Sequence, residues 1–211
     1  IGAIIKPVEE LRIGVAFHSP VFYKIDEYFY DNISANYTDN SRYEFANDPL
    51  RYNYALTTPF RALLGMAYQF EKLGMLSVDY EFVDYSTAKF SETGDNYDYS
   101  EKNLEIKNTL KPAHNLRVGG EARLDKFYLR GGYGYYGKVF AENELNENLT
   151  YRTLSAGAGY REQNLNIDFG FTNLKNDQNY ILYNTASSSA MAGLTSNRNI
   201  FTVTLGYKFG F

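Results

Sequence analysis

The chain has 211 residues, a formal net charge of −4, no Cys and no Trp, but 21 Tyr and 15 Phe. This length suits one domain, and the mildly acidic balance offers no basic surface for nucleic acid. The lack of Cys excludes a disulfide framework or a Cys-based zinc site. No apolar run approaches the ~20 residues of a membrane helix, but barrel strands place apolar side chains only at every second position. The aromatic excess suits the interfacial belts of such a barrel.

Alternating apolar and polar residues predict about nine β-strands, of which the first is partial. In chain order they occupy Ile1–Lys6, Leu11 to about Tyr30, Tyr52–Phe70, Leu76–Tyr85, Asn115–Leu124, Phe127–Tyr136, Leu154–Arg161, Leu165–Thr172 and Asn199–Phe211. Short turns are predicted at residues 7–10, 71–74, 125–126 and 162–164, and long loops at 31–50, 86–111, 137–150 and 174–198. The last loop contains the low-complexity stretch Thr185–Ala190. Within 86–111, Asp98 and Glu101 match a capping box and predict one or two helical turns before Pro112.

The final stretch shows the alternation most clearly. Its large apolar residues share one face, and its small or polar residues share the other. The apolar set is Phe201, Val203, Leu205, Tyr207, Phe209 and Phe211. A soluble β-sandwich strand seldom presents so many large apolar side chains, whereas an outer-membrane barrel strand faces lipid on one side and the lumen on the other. We therefore expect an all-β, antiparallel transmembrane barrel that forms a single domain over residues 1–211.

The predicted inner face carries charges of both signs. Folding the chain about Asp125 and Lys126 places Glu121 opposite Arg130, a pair that stabilises a sheet by roughly 0.2–1 kcal/mol. One hypothesis is a rigid network of lumenal ion pairs that includes Asp79, Glu81, Glu121, Arg130 and Asp168. The alternative is that surplus cations bind the carboxylate of an acidic amphiphile, with candidates Arg61, Arg117, Arg123, Arg130 and Lys208. Inward glycines either open lumenal volume or allow the sheet to curve.

Catalysis and metal binding are not expected. His18 and His114 are both predicted to face inward but lie far apart in sequence, and neither has carboxylates at a metal-ligand spacing. No cofactor is predicted.

Two prolines are predicted to meet in neighbouring strands. If Leu11 and Gln69 lie at one height, residue 20 comes opposite residue 60. Pro20 and Pro59 then meet at one level of neighbouring strands, and each removes a hydrogen-bond donor from the ladder. A tolerated bulge is the favoured interpretation, and a weak point or opening in the wall is the alternative.

Three segments resemble the FadL/TodX-type (OMPP1) outer-membrane transporters: Asn108–Tyr136, Leu11–Pro20 and Leu154–Tyr160. Members of that family are fourteen-stranded barrels that import long-chain fatty acids or other hydrophobic compounds. The resemblance implies that this chain is the C-terminal portion of such a barrel, without the N-terminal hatch and early strands. The terminal aromatic resembles the signal by which the barrel-assembly machinery recognises its clients.

This interpretation implies a location in the bacterial outer membrane, with the C-terminus in the periplasm and passive uptake as the function. The expected partners are outer-membrane lipid, a hydrophobic small molecule and the N-terminal portion of the same barrel, but no nucleic acid. Two alternatives stay open: a small structural or adhesin barrel, and a FadL-like subunit of a secretion machine.

Overall fold

A computed structural model describes residues 1–94, 96–185 and 188–209. Besides a short 3-10 helix (Tyr85–Thr87), fourteen strands and one α-helix make up the regular structure of these residues. They are β1 (Gly2–Ile5), β2 (Leu11–His18), β3 (Phe22–Phe29), β4 (Asn32–Asn36), β5 (Arg42–Ala46), β6 (Leu50–Thr57), β7 (Arg61–Phe70), β8 (Gly74–Asp84), β9 (Lys89–Glu92), α1 (Ser100–Thr109), β10 (Pro112–Leu124), β11 (Phe127–Tyr136), β12 (Tyr151–Glu162), β13 (Leu165–Asn184) and β14 (Ser189–Tyr207).

A nine-stranded antiparallel sheet forms the main wall, in the order β1-β2-β7-β8-β10-β11-β12-β13-β14. This architecture confirms the predicted all-β fold. Short turns join the strands at one end of the wall (the turn end), and long connections join them at the other (the loop end). β1 and β14 are the two edges, and in the described part of the chain they do not pair with each other.

The outer face of this wall is apolar and exposed. Leu129 and Phe169 are 50% and 57% exposed, and Leu64 and Val118 are similarly open. Among the described residues the only buried apolar side chains are Val83, Ala113, Tyr128 and Leu149. The wall therefore has almost no core of its own, as expected when one face meets lipid.

Aromatic residues cluster toward both ends of the wall. Near the loop end, the Phe60 ring lies 5.6 Å from that of Phe17 and 6.1 Å from that of Phe82. Near the turn end, the rings of Phe127 and Tyr160 are 5.3 Å apart. These two groups occupy the levels at which interfacial belts are found in membrane barrels.

His114 was predicted to face inward, but it faces outward. It shares the parity of the outward-facing Leu116, and β8 pairs it with Phe82. Its Nδ1 lies 2.6 Å from the Tyr80 hydroxyl, and its ring stacks on that of Tyr80. His114 therefore belongs to the outer aromatic belt. Its position was misjudged because β10 begins at Pro112, before the predicted start at Asn115.

Two predicted loops are strands instead. Residues 31–50 contain the β4–β5 hairpin and the start of β6, and β3, β6 and β9 form a separate three-stranded sheet. Within 174–198, β13 and β14 stay paired as far as Asn184 and Ser189. Strands that rise beyond the lipid need no apolar outer face, so their polar composition concealed them.

The helix within residues 86–111 is confirmed, but its capping box is not. The N-cap is Tyr99, which makes no side-chain cap, and Asp98 Oδ1 accepts from Ser100 N at 2.9 Å. The helix is also longer than predicted. Asn103 anchors it to β9 by bonding the N–H and C=O of Phe90 at 2.8 and 2.9 Å.

The prolines interrupt the ladder without shifting its register. Pairing on one side ends with His18 opposite Arg61 and resumes at the same offset with Phe22 opposite Thr57. This offset sets Pro20 directly opposite Pro59. The predicted continuous strands through these positions were wrong, because β2 ends at His18 and β7 begins at Arg61. The predicted bulge stays a prediction.

The hydrogen-bond pattern explains the interruption. Gln69 N donates to Glu10 O at 2.8 Å, so even-numbered residues of β2 form the hydrogen-bonded pairs with β7. Pro20 and Pro59 would be the next such pair, but neither can donate. Beyond them, Thr58 N donates to Val21 O at 2.9 Å, so an odd-numbered residue forms the hydrogen-bonded pair there and the alternation is broken at the prolines.

Three predictions fall partly outside the described residues. They are the terminal aromatic Phe211 with Gly210, position 95 of the 86–111 segment, and positions 186–187 of the low-complexity stretch.

Candidate lumenal site

The inner face of β8 and β10–β14 surrounds a recess of about 570 Å³. The lining residues of inward parity are Met75, Ser77, Asp79, Arg117, Gly119, Glu121, Arg130, Gly132, Gly134, Thr153, Ser155, Gly157, Asp168, Gly170, Thr172, Thr202 and Thr204. Glycines and small hydroxyl residues dominate this set because large inward side chains would fill the concave side of the wall. The recess therefore combines a glycine- and hydroxyl-rich lining with charge on a few residues.

Arg130 is the centre of an ion triad in this recess. Its Nε donates to Glu121 Oε2 at 2.6 Å, and its Nη1 donates to Asp168 Oδ1 at 2.6 Å. The Arg130, Glu121 and Asp168 side chains are 32%, 26% and 24% exposed. The predicted Glu121–Arg130 register is observed. Asp168 reaches Arg130 from β13 across β12, so the triad ties together four adjacent strands.

A glycine makes this reach possible. β12 places Gly159 directly between Tyr128 and Asp168. A Cβ at position 159 would overlap Asp168 Oδ1 and come within 3.5 Å of Arg130 Nη1. Gly159 is therefore required by the ion triad, a role that neither predicted explanation of the inward glycines included.

Three guanidinium groups surround the ring of Tyr128, which is buried. The Cζ atoms of Arg161, Arg123 and Arg130 lie 4.4, 5.3 and 5.8 Å from its centroid. The face of an aromatic ring attracts cations, so Tyr128 holds these groups together near the turn end. Tyr128 and Arg161 were not among the predicted site residues. The pairing of Arg123 with Tyr128 follows from the two-residue turn and was available in the sequence. The approach of Arg161 was not, because it depends on the pairing of Tyr128 with Gly159.

The other predicted site residues are dispersed. Glu81 is buried and accepts from Asn115 Nδ2 at 2.8 Å, so it does not join the triad. Asp79 lies opposite Arg117, but no ion pair joins them in the described chain. Arg61 lies opposite His18 next to the proline interruption. Lys208 is exposed beyond the end of β14.

Within the described ranges, no group of three or more His, Asp or Glu side chains could hold a metal ion. No helix in the same ranges is both long enough and apolar enough to cross a membrane.

The sequence of residues 1–210 matches the family described as outer membrane protein transport protein (OMPP1/FadL/TodX). The chain belongs to this family. No curated protein matches the sequence.

Solved structures of FadL/TodX-type proteins share the fold. A Pseudomonas aeruginosa FadL homologue has a TM-score of 0.66 and 16% identity, and the match covers 99% of this chain and 51% of that one. The CymD monoaromatic hydrocarbon channel has a TM-score of 0.59 and 13% identity, and the match covers 100% of this chain and 50% of that one. The P. putida toluene transporter TodX has a TM-score of 0.56 and 14% identity, and the match covers 100% of this chain and 48% of that one. This chain therefore spans about half the length of these FadL-type barrels.

Proposed function

We propose that the chain forms part of a passive outer-membrane transporter for hydrophobic or amphipathic small molecules, rather than an enzyme. The observation that carries the proposal is the glycine- and hydroxyl-rich recess on the inner face of a wall whose outer face is apolar. An inner face of this kind suits a path for a ligand better than a packed core. Two of the similar structures are described as a hydrocarbon channel and a toluene transporter, which supports this substrate class.

The loop end supplies a surface for first contact. Apolar side chains are exposed there on two separate segments that rise beyond the wall. They are Phe29, Tyr30, Tyr180, Ile181, Leu182 and Tyr183. We place this end outside the cell and the C-terminus in the periplasm, because barrels of this class have long connections outside and short turns inside.

Arg117 is the candidate for a ligand carboxylate, such as that of a long-chain fatty acid. It lines the recess, and in the described structure it forms no ion pair. Arg130 is already engaged by Glu121 and Asp168, and Arg123 lies against Tyr128. Arg61 and Lys208 lie outside the recess. A carboxylate entering the recess would therefore meet a free guanidinium only at Arg117 among the predicted cations.

The remainder of the barrel is proposed to come from the N-terminal portion of the same protein. β1 and β14 leave two open sheet edges, and each unpaired backbone group in lipid costs several kcal/mol. Both edges are therefore expected to pair with strands from that portion.

The proposal is tested with the full-length protein reconstituted in vesicles. We expect low ion conductance together with uptake of a labelled fatty acid and of an aromatic hydrocarbon. Arg117→Gln should reduce fatty acid uptake but leave hydrocarbon uptake unchanged, because only the acid carries a carboxylate. Arg12→Gln is the matched control, since Arg12 bonds Gln69 on the inner face at 3.2 Å and does not line the recess. Large, steady conductance without hydrophobic uptake would instead indicate a general porin.

A further inference from the structure

Two basic side chains lie next to each other on the outer face, just beyond its apolar part. β12 pairs Arg152 directly with Lys175 of β13, and both residues are exposed. Both continue the outward alternation of their strands, which includes Leu154 on β12 and Phe171 on β13. Residues paired in this way have Cβ atoms about 4.5–5.5 Å apart, and like charges at that separation destabilise a sheet.

The pair lies at the edge of the hydrocarbon layer. The stretch from Leu165 to Lys175 has the length of one membrane-crossing strand, roughly 9–11 residues. Phe171 ends the apolar run of this stretch, and Asn173 begins a polar one by donating to Asn199 Oδ1 at 2.7 Å. Arg152 and Lys175 therefore sit at the level of the lipid head groups.

Neither cation has a carboxylate partner. In the part of the chain that the structure describes, Arg152 and Lys175 form no ion pair, whereas the exposed Arg51 and Lys102 pair with Asp26 and Glu105. The closest carboxylate along the strand is that of Asp177, whose Oδ1 accepts from Thr195 Oγ1 at 2.6 Å. The like-charged pair therefore forms no ion pair in the described chain, although the Asp177 carboxylate lies nearby on β13.

The space beside the pair is shaped to take an anion. A polar recess of about 180 Å³ is lined by Asn148, Thr150, Arg152, Lys175, Asn176 and Asp177. The planar guanidinium of Arg152 matches phosphate oxygens in a bidentate arrangement, and Lys175 adds a point charge. A phosphate between them would form charge-assisted hydrogen bonds and would also remove the repulsion. The negative charge of the Asp177 carboxylate repels a bound anion, but this carboxylate also accepts a hydrogen bond from Thr195 Oγ1.

We propose that Arg152 and Lys175 bind the phosphate of an anionic lipid head group at the loop end of the wall. The source of the phosphate is a lipid because Arg152 and Lys175 continue the outward faces of β12 and β13 on which Leu154 and Phe171 lie. Basic groups beside a membrane-spanning segment attract anionic lipids by the same physics. This inference concerns the outer face only and does not depend on which compound is transported.

Native mass spectrometry of the delipidated full-length protein in a non-ionic detergent tests the site. Phosphatidic acid, zwitterionic phosphatidylcholine and inorganic phosphate are the probes. We expect phosphatidic acid to bind best, and the double variant Arg152→Gln/Lys175→Gln to weaken that binding about tenfold or more, since two charge-assisted contacts are lost. Arg51→Gln/Lys102→Gln removes the same charge from exposed positions and should leave binding unchanged.

Three results would overturn the proposal. Unchanged binding in the Arg152→Gln/Lys175→Gln variant would show that the lipid binds elsewhere. Equal losses in the control variant would reduce the effect to net charge. If inorganic phosphate binds as tightly as phosphatidic acid, the site recognises phosphate alone and is not a lipid site.

Thermal unfolding gives a second readout that a merely structural role would not produce. Without anionic lipid, Lys175→Gln relieves the repulsion and should unfold at the same or a higher temperature than the wild type. With phosphatidic acid, the wild type should gain stability by mass action and the variant should gain much less. Equal stabilisation of both proteins by phosphatidic acid contradicts the site.

Discussion

Gly159 lies directly opposite Asp168, and the Asp168 carboxylate occupies the space that a side chain at position 159 would need. The same carboxylate reaches Arg130 across that glycine. The backbone at Gly159 does not have a positive φ, so the requirement for glycine comes from its neighbours. A substitution here consequently tests the ion triad directly.

Gly159→Ala should destabilise the folded wall by about 1–3 kcal/mol, the usual cost of an overpacked site. Urea unfolding in lipid vesicles measures this free energy. Gly170→Ala is the matched control, because a Cβ there meets nothing closer than the Thr202 Cβ at 3.8 Å. The cost should largely disappear in an Asp168→Ala background. An equal loss in both backgrounds would mean that the glycine matters for another reason.

Arg130→Met should destabilise the wall more than Arg130→Met/Asp168→Asn does. The single change leaves the carboxylates of Glu121 and Asp168 without their shared cation, and hydrogen bonds to charged groups are worth about 1.5–3 kcal/mol each. The double change removes one of the two orphaned charges. Because all three side chains are partly exposed, the lower part of that range is expected. The prediction fails if the double variant is the less stable one in the same unfolding assay.

Arginine on the outer face should be costly. Leu129→Arg and Phe169→Arg should each destabilise the protein by ~2–4 kcal/mol if these positions lie near the bilayer midplane. Thr204→Arg is the control, since it lies opposite Asp168 on the inner face and should cost little. Unfolding in vesicles, compared with detergent micelles, measures the difference. Comparable costs at Leu129 and Thr204 would argue against the assignment of the two faces.

The strands of the wall could be predicted because lipid imposes a strict alternation on them. The register of Glu121 with Arg130 followed from a two-residue turn alone. The strands beyond the lipid could not be predicted, because Asn173 and its neighbours carry no such alternation. Their pairing depends on backbone bonds that polar residues make equally well in loops.

The sequence predicts on which face of the sheet most of the site residues lie, but not which residues they contact. The inward position of Arg130 follows from the period of two, but its bond to Asp168 depends on two registers in succession. The arginines around Tyr128 required the same information. His114 shows the converse, since an error in the start of one strand assigned it to the wrong face.

The Asp26 carboxylate should titrate below its ordinary range. Asp26 lies in the β3–β6–β9 sheet, and Arg51 Nε donates to its Oδ1 at 2.8 Å. This hydrogen bond holds the pKa of Asp26 below the usual 3.8. A lowered pKa means that the interaction stabilises the fold above pH 3.8 and is lost as the pH falls through the folded-state pKa.

Carbon NMR of the Asp26 carboxyl checks this prediction. Arg51→Gln should raise the titration midpoint toward 3.8. Asp98 is the internal control, because its pKa is lowered by hydrogen bonds from Ser100 rather than by a cation. Its midpoint should stay in place, and a common shift of both midpoints would indicate a general change in the protein.

The paired prolines should leave a local opening in the backbone ladder between the wall and the β3–β6 strands. Pro20 and Pro59 lie directly opposite each other and supply neither donor, although the residue offset is the same on both sides. The double variant Pro20→Ala/Pro59→Ala restores both donors and should close the ladder. Amide hydrogen exchange should then slow at residues 18–22 and 57–61. Pro49→Ala, outside the strands, should leave these amides unchanged.

If the wild type already exchanges as slowly at this level as in the middle of β7, the two sheets are continuous and no opening exists. If only the double variant exchanges that slowly, the prolines keep this part of the wall open. The effect of the double variant on uptake in vesicles then decides whether the opening serves transport.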